Sequence, residues 1–287
     1  MNFKTIDPVI KTERLVKKYD SITVVDNLDL EVAEGEIFGF LGPNGAGKTT
    51  TVRVLTTLTK PTSGSAFVSG FDVVDEPVRA KGGMAAVPQY LNVDVELTAY
   101  ENLKLHGMLH KMKKREMDEQ IERMLDFVEL ADRKGSLVKT FSGGMKRRLM
   151  IARALLHGPK VLFLDEPTVG LDPQTRRKIW DMIRKINRNG GTIFLTTHYI
   201  EEAEALCHRV GIIDHGKLIA LDSPAELLKR TGSVVVEMFT ENGTETMFFE
   251  NRRDAADFAA SLDRNVIIRN SNLEDVFVKL TGRRVTQ

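Results

Sequence analysis

The sequence predicts an α/β fold: a phosphate-loop domain on a parallel sheet, with an antiparallel β subdomain, a helical subdomain and a small C-terminal α+β appendage. Three observations carry this expectation. A glycine-rich stretch, Gly42-Pro43-Asn44-Gly45-Ala46-Gly47-Lys48-Thr49, joins the apolar run Ile37–Leu41 to a helical pattern over Thr50–Thr57. Two more short apolar runs, Val161–Leu164 and Thr192–Leu195, flank a helical pattern over Gln174–Arg188 and lead into polar residues. After about residue 230 the chain changes character, and short strands and helices follow one another to the end.

Taken in order, Val9 to Val32 alternates apolar and polar residues around a break at Asp20-Ser21, the pattern of an antiparallel strand pair. The stretch from Thr98 to about Lys139 is charged and helix-rich, and a helical subdomain is expected over about 98–158. Val210–Ile213 and Leu218–Leu221 around Asp214-His215-Gly216-Lys217 read as a hairpin. Pro224 opens a short helix that Thr231-Gly232 ends. Beyond it come strands over Val234–Phe239 and Thr246–Phe249 around Glu241-Asn242-Gly243, a helix over Arg253–Leu262, a strand over Val266–Arg269 and a helix over Leu273–Thr281. The expected division is therefore 1–230 for the nucleotide-binding domain and 231–287 for the accessory unit.

The glycine loop has a direct chemical meaning. Successive backbone N–H groups and the positive end of the following helix suit the charge of a triphosphate, and the glycines allow the turns and the close approach. Lys48 is expected at the β- and γ-phosphates of ATP, and the Thr49 hydroxyl on Mg2+; Gly42 through Gly47 and Thr50 complete the cradle. An apolar strand ending in Asp165 places a second oxygen ligand near that metal, and the adjacent Glu166 is the candidate general base. Standing alone, such a strand end would be unremarkable; downstream of a phosphate loop it reads as a partner.

Composition narrows the class. Lys plus Arg number 41 against 40 Asp plus Glu, a balance that gives no reason to expect nucleic acid as a partner. One cysteine, Cys207, excludes an intramolecular disulfide and fits a reducing compartment. No apolar run reaches the roughly 18–20 residues of a membrane span, and the first residues lack a signal-peptide core. The expectation is a protein of the cytosol, whose membrane spans, if it needs any, belong to another chain.

Phe141-Ser142-Gly143-Gly144-Met145-Lys146-Arg147-Arg148-Leu149 resembles the signature motif of ATP-binding cassette (ABC) proteins. The rest of that family's set follows in order: Tyr19 at the adenine-stacking position, Gln89 at the Q-loop, Gly170-Leu171-Asp172-Pro173 as the D-loop and His198 at the switch position. The resemblance runs from Val9 to about Lys229. Met145, Phe141 and Val169 depart from the commonest family pattern, while Ser142-Gly143-Gly144, opening a helix as a second anion site, is intact. The Phe and Met variants, Glu101-Asn102-Leu103 and the segment Asn272–Gly282 resemble the daunorubicin-resistance type of exporter ATPase.

The resemblance implies an ATPase that works as a head-to-tail dimer, homodimeric or with a paralogous subunit. Each ATP then lies between one subunit's phosphate loop and the other's Ser142-Gly143-Gly144. It further implies that Gln89 ligates Mg2+, that His198 contacts the γ-phosphate, and that Asp172 links the two sites. An integral-membrane permease is the implied partner, at the cytoplasmic face of the cell membrane, with a drug, lipid or polysaccharide as cargo. A soluble cassette ATPase acting on nucleic acid or ribosomes, or an importer ATPase, are the alternatives. Only about ninety residues separate Lys48 from Ser142, with none of the sustained heptads of the DNA-repair members.

Other residues read as structural. Tyr19 on its own would be a strand residue with a wet hydroxyl; its place just before a strand turn favours the adenine role. His106, His110, His157, His208 and His215 show no spacing with a carboxylate or Cys207 that suggests ligation. Lys111–Arg115 and Lys146-Arg147-Arg148 are expected on solvated helix faces, with the first able to meet anionic headgroups. Met108, Met112, Met117 and Met124 are expected to pack within the helical insert.

Overall fold

The computed structural model describes residues 8–240, 243–262 and 264–282; Glu241 and Asn242 of the expected C-terminal turn lie outside them. The strands are β1 (Ile10–Tyr19), β2 (Ile22–Val32), β3 (Ile37–Leu41), β4 (Ser63–Val68), β5 (Phe71–Asp72), β6 (Met84–Val87), β7 (Val161–Asp165), β8 (Thr192–Thr197), β9 (Arg209–Asp214), β10 (Lys217–Asp222), β11 (Val234–Thr240), β12 (Gly243–Phe249) and β13 (Val266–Asn270). The helices are α1 (Lys48–Leu55), α2 (Pro77–Gly82), α3 (Ala99–Leu109), α4 (Lys114–Phe127), α5 (Gly143–Leu155), α6 (Pro173–Arg188), α7 (Ile200–Leu206), α8 (Pro224–Lys229), α9 (Arg252–Ala260) and α10 (Leu273–Thr281).

The central sheet has the order β10-β9-β3-β8-β7-β6, parallel except for the antiparallel β9–β10 hairpin. Its middle strands β3, β7 and β8 are buried along their whole length, as a parallel sheet covered on both faces requires. Alternation then sorts their side chains between two cores. Ile37, Leu41, Leu162, Leu164, Ile193 and Leu195 face the helices α3 to α6. Phe38, Phe40, Phe163 and Phe194 face the second, antiparallel sheet β2-β1-β4-β5 and α1. Phe194 is the hub of that aromatic face, with ring centroids 5.4 Å from Phe38 and 5.6 Å from both Phe40 and Phe163.

The helical layer is set by local signals. Thr98 caps α3 in a reciprocal box, accepting from the Glu101 N–H at 3.2 Å while its own N–H donates to the Glu101 carboxylate at 2.8 Å. α6 buries Ile179, Met182, Ile183 and Ile186, an i, i+3, i+4, i+7 stripe. Met117 is buried and Met112 and Met124 pack at the core margin, whereas Met108 is exposed, against expectation.

At the C-terminal end, β12-β11-β13 form a small antiparallel sheet, with Val234, Val236 and Met238 packed on Ala255 of α9. α10 belongs elsewhere: Leu273, Val276 and Phe277 are buried in the helix-side core that also holds Leu206 and Leu227. Arg269 ties the two parts, reaching Glu237 at 2.7 Å and Asp275 at 2.6 Å. Among the described residues no helix is long and apolar enough to cross a membrane.

Candidate phosphate-loop site

β3 ends against β8, and the chain turns back at Gly42, where a Cβ would stand 2.3 Å from the Ile213 carbonyl oxygen. Gly47 has φ +109° and a Cβ there would meet the Val24 carbonyl oxygen at 2.5 Å. Both positions therefore exclude any side chain. Helix α1 begins at Lys48, two residues ahead of the expected start, because Gly47 serves as its N-cap. No side chain caps that end, so its first N–H groups are left for an anion.

The Lys48 side chain folds back into the loop. Its Nζ donates to the carbonyls of Gly42 at 2.7 Å and Pro43 at 3.0 Å and lies 3.4 Å from Glu166 Oε1. Burial lowers its pKa, against the pull of the Glu166 and Asp165 carboxylates.

The ends of β7 and β8 supply the opposite wall. Asp165 Oδ1 accepts from Thr196 Oγ1 at 2.5 Å and from Thr49 Oγ1 at 3.2 Å. Glu166 sits at φ +47°, unusual for a non-glycine residue, held by its N–H donating to both the carbonyl and the hydroxyl of Thr196 at 3.1 Å. Its side chain is buried, 3.2 Å from Gln89 Nε2 and 3.2 Å from His198 Nδ1; the histidine is at ion-pair distance but poorly aligned for a hydrogen bond. Burial alone would raise the Glu166 pKa, but His198 and Lys48 outweigh it and the net shift is downward. Three of the expected site residues, Lys48, Gln89 and His198, thus converge on the carboxylate of a fourth, Glu166. Thr49 and Asp165 present two hard oxygen donors side by side, a set that suits a Mg2+ ion retaining several waters.

Ser142 caps α5, its hydroxyl accepting from the Met145 N–H at 3.2 Å, and Gly143 is exposed beside it. Gly144 packs so closely on Thr175 that a Cβ would lie 2.4 Å from Thr175 Cγ2. Thr175 in turn is bonded to Asp172, the N-cap of α6, whose carboxyl pKa is lowered by the Thr175 hydroxyl and N–H. Among the described residues no hydrogen bond or ion pair joins Ser142–Gly144 to the 42–49 loop, so these two groups of expected residues are not brought together within the chain. Tyr19 is exposed at the end of β1, with Lys17 Nζ 4.7 Å from its ring centroid.

Sequence reasoning missed the structural roles of three residues, Arg147, Arg148 and Glu202. Arg147 is buried rather than solvated: its guanidinium donates to the carbonyls of Pro88 at 2.7 Å and Gln89 at 2.6 Å. The helix that begins at Ser142–Gly144 is therefore bolted to the loop carrying Gln89. Arg148 also leaves the solvated face, donating to the Val128 carbonyl at 2.7 Å. Behind the site, the fully buried Glu202 accepts from Thr168 Oγ1 at 2.8 Å and Trp180 Nε1 at 3.0 Å.

Residues 25–169 match the sequence pattern of the ABC transporter family. The chain is 41% identical to the Nod factor export ATP-binding protein I of Cupriavidus metallidurans, over 96% of this chain and 98% of that protein. It is 44% identical to the daunorubicin/doxorubicin resistance ATP-binding protein DrrA of Streptomyces peucetius, over 80% of this chain and 69% of DrrA. An ATP-binding cassette solved as a dimer in a post-hydrolysis state with ADP and phosphate aligns with a TM-score of 0.68 at 28% identity, covering 75% of this chain and 98% of that one.

Proposed function

The chain belongs to the ABC transporter family, and from that premise we propose that it is the ATP-hydrolysing subunit of an exporter whose membrane spans lie in a separate permease. The observation that carries the catalytic reading is the convergence of Lys48, Gln89 and His198 on the buried Glu166 carboxylate. Similarity to ATP-binding proteins of Nod factor export and daunorubicin/doxorubicin resistance supports export as the direction, with a drug, lipid or polysaccharide as cargo.

The residues divide the work as follows. The N–H groups of the 42–49 loop and the first turn of α1, through Thr50, bind the phosphates of ATP. Lys48 exchanges the carbonyls of Gly42 and Pro43 for the β- and γ-phosphates. Thr49 and Asp165 would hold Mg2+, with Gln89 as a further ligand, and the bound ion would supply positive charge to offset that of the phosphates. Glu166, ionised because His198 and Lys48 face it, accepts the proton of the attacking water. His198 then holds the γ-phosphate, and Tyr19 stacks on adenine. Ser142, Gly143 and Gly144 offer an exposed helix N-terminus that the chain's own loop does not use, which supports a second copy or paralogous subunit as its user. Asp172 at that surface links the two sites, and the protein works at the cytoplasmic face of the membrane through its permease.

Glu166→Gln tests the base assignment. It keeps the size and the acceptor oxygen, so ATP binding should persist while turnover falls roughly 10²–10⁴-fold. Turnover near the wild-type rate would mean that another group takes the proton.

A further inference from the structure

Three of the histidines read as structural from sequence meet in space, away from the phosphate loop. His106 and His110 stand one helical turn apart at the end of α3, and His157 follows α5. Their rings form one cluster: centroids are 3.9 Å apart for His110 and His157, and 4.6 Å for His106 and His110. One nitrogen from each ring lies within 4.8 Å of the other two. The cluster lines a cavity of about 270 Å³ between α3, α5 and β6. We propose that His106, His110 and His157 form a binding site for one divalent transition-metal ion of the Zn2+ class.

The hydrogen bonding prepares two of the ligands. His157 Nε2 lies 3.3 Å from the Met84 carbonyl, to which it donates, leaving the Nδ1 lone pair free. A carbonyl behind a histidine fixes the tautomer and ring direction in metal sites. His157 Nδ1 and His106 Nε2 are both buried without a hydrogen-bond partner, an unfavourable state that ligation relieves. His110 is exposed and supplies the movable ligand. Its ring now stacks on His157 at an interplanar angle of 13°. Tetrahedral Zn2+ with bonds of about 2.0–2.1 Å needs nitrogens roughly 3.4 Å apart, so the three rings, His110 foremost, draw together to close the site.

The donor chemistry decides the ion. Three imidazoles, with no carboxylate lining this cavity, suit Zn2+, Ni2+ or Cu2+ and not Mg2+ or Ca2+, which take oxygen. Lys81 and Arg153 on the cavity wall oppose a cation, but Arg153 is drawn aside by Asn92, bonding its carbonyl at 2.8 Å and its side-chain oxygen. Water fills the remaining coordination position. An ion here clamps the end of α3 to the end of α5.

The test uses the untagged full chain without nucleotide, titrated with Co2+ as a spectroscopic probe and then with Zn2+. Saturable visible d–d absorption at one Co2+ per chain, displaced by Zn2+, is the expected result. His110→Gln and His106→Gln should each weaken binding at least ~10-fold, and His215→Gln should leave it unchanged. His110 is exposed, so its variant should keep the metal-free thermal midpoint and report on ligation alone. Absence of saturable absorption, or equal binding by wild type and His110→Gln, would overturn the site.

Discussion

At Glu166 the backbone holds a left-handed conformation, φ +47°, that costs a non-glycine residue about 1–3 kcal/mol. The two bonds from its N–H to Thr196 offset that strain, and they aim the carboxylate at Lys48, Gln89 and His198. Glu202 shows the opposite electrostatics. Burial raises its pKa in spite of the bonds from Thr168 and Trp180. A carboxyl raised in the folded state contributes stability that is intact below its unfolded pKa and lost as pH rises through the folded value. Glu202→Gln keeps an acceptor for both donors and removes the ionisation. Its urea midpoint should match the wild type near pH 4.5 and exceed it at about pH 8. A constant difference across that range would contradict this assignment. The loop, Asp165 and Glu166 were legible in the sequence because each is a residue type at the end of an apolar strand. Arg147 was not, since a run of Lys146-Arg147-Arg148 looks solvated. The overlooked signal was periodicity: Arg147 shares a face with the buried Met150, Ile151 and Ala154.

Between elements, the decisive contact joins α5 to the loop after β6. Arg147→Leu fills much of the same volume but leaves the Pro88 and Gln89 carbonyls without their charged donor. The loss should be roughly 2–4 kcal/mol in urea unfolding, with ATPase activity reduced because Gln89 is no longer held. Unchanged stability would show that the bond is incidental. α10 is anchored by side chains, and Phe277→Ala should cost about 3–5 kcal/mol despite its distance from the loop. A loss below ~1 kcal/mol would mean that α10 does not share the main core. Most elements followed from periodicity, but β6 did not. It has four residues, one of them an exposed alanine, and only pairing with β7 makes it a strand. Likewise β4 opens with Ser63-Gly64-Ser65 and is fixed by its register on β1, Ile10 opposite Val68. Such strands are tertiary products, and local propensity carries little of their signal.

For the whole molecule, the central claim is that each chain holds half of two sites. In a single chain the 42–49 loop and the Glu166 carboxylate adjoin one another, while Ser142 and Gly143 are exposed and the Ser142 hydroxyl is bonded to its own helix. Gly144 packs on Thr175, and Thr175 on Asp172, so the signature helix and the turn before α6 form one surface. Binding of ATP between two such surfaces would couple nucleotide state to subunit distance, and through Arg147 to the Gln89 loop. The most direct test is sedimentation of the slow Glu166→Gln variant with and without Mg-ATP, repeated after adding Ser142→Arg. The account predicts a dimer of Glu166→Gln only when ATP is present, and monomers that still bind ATP once Ser142→Arg is added. A monomeric Glu166→Gln protein at saturating ATP, alongside a Ser142→Arg single variant with full ATPase activity, would contradict it.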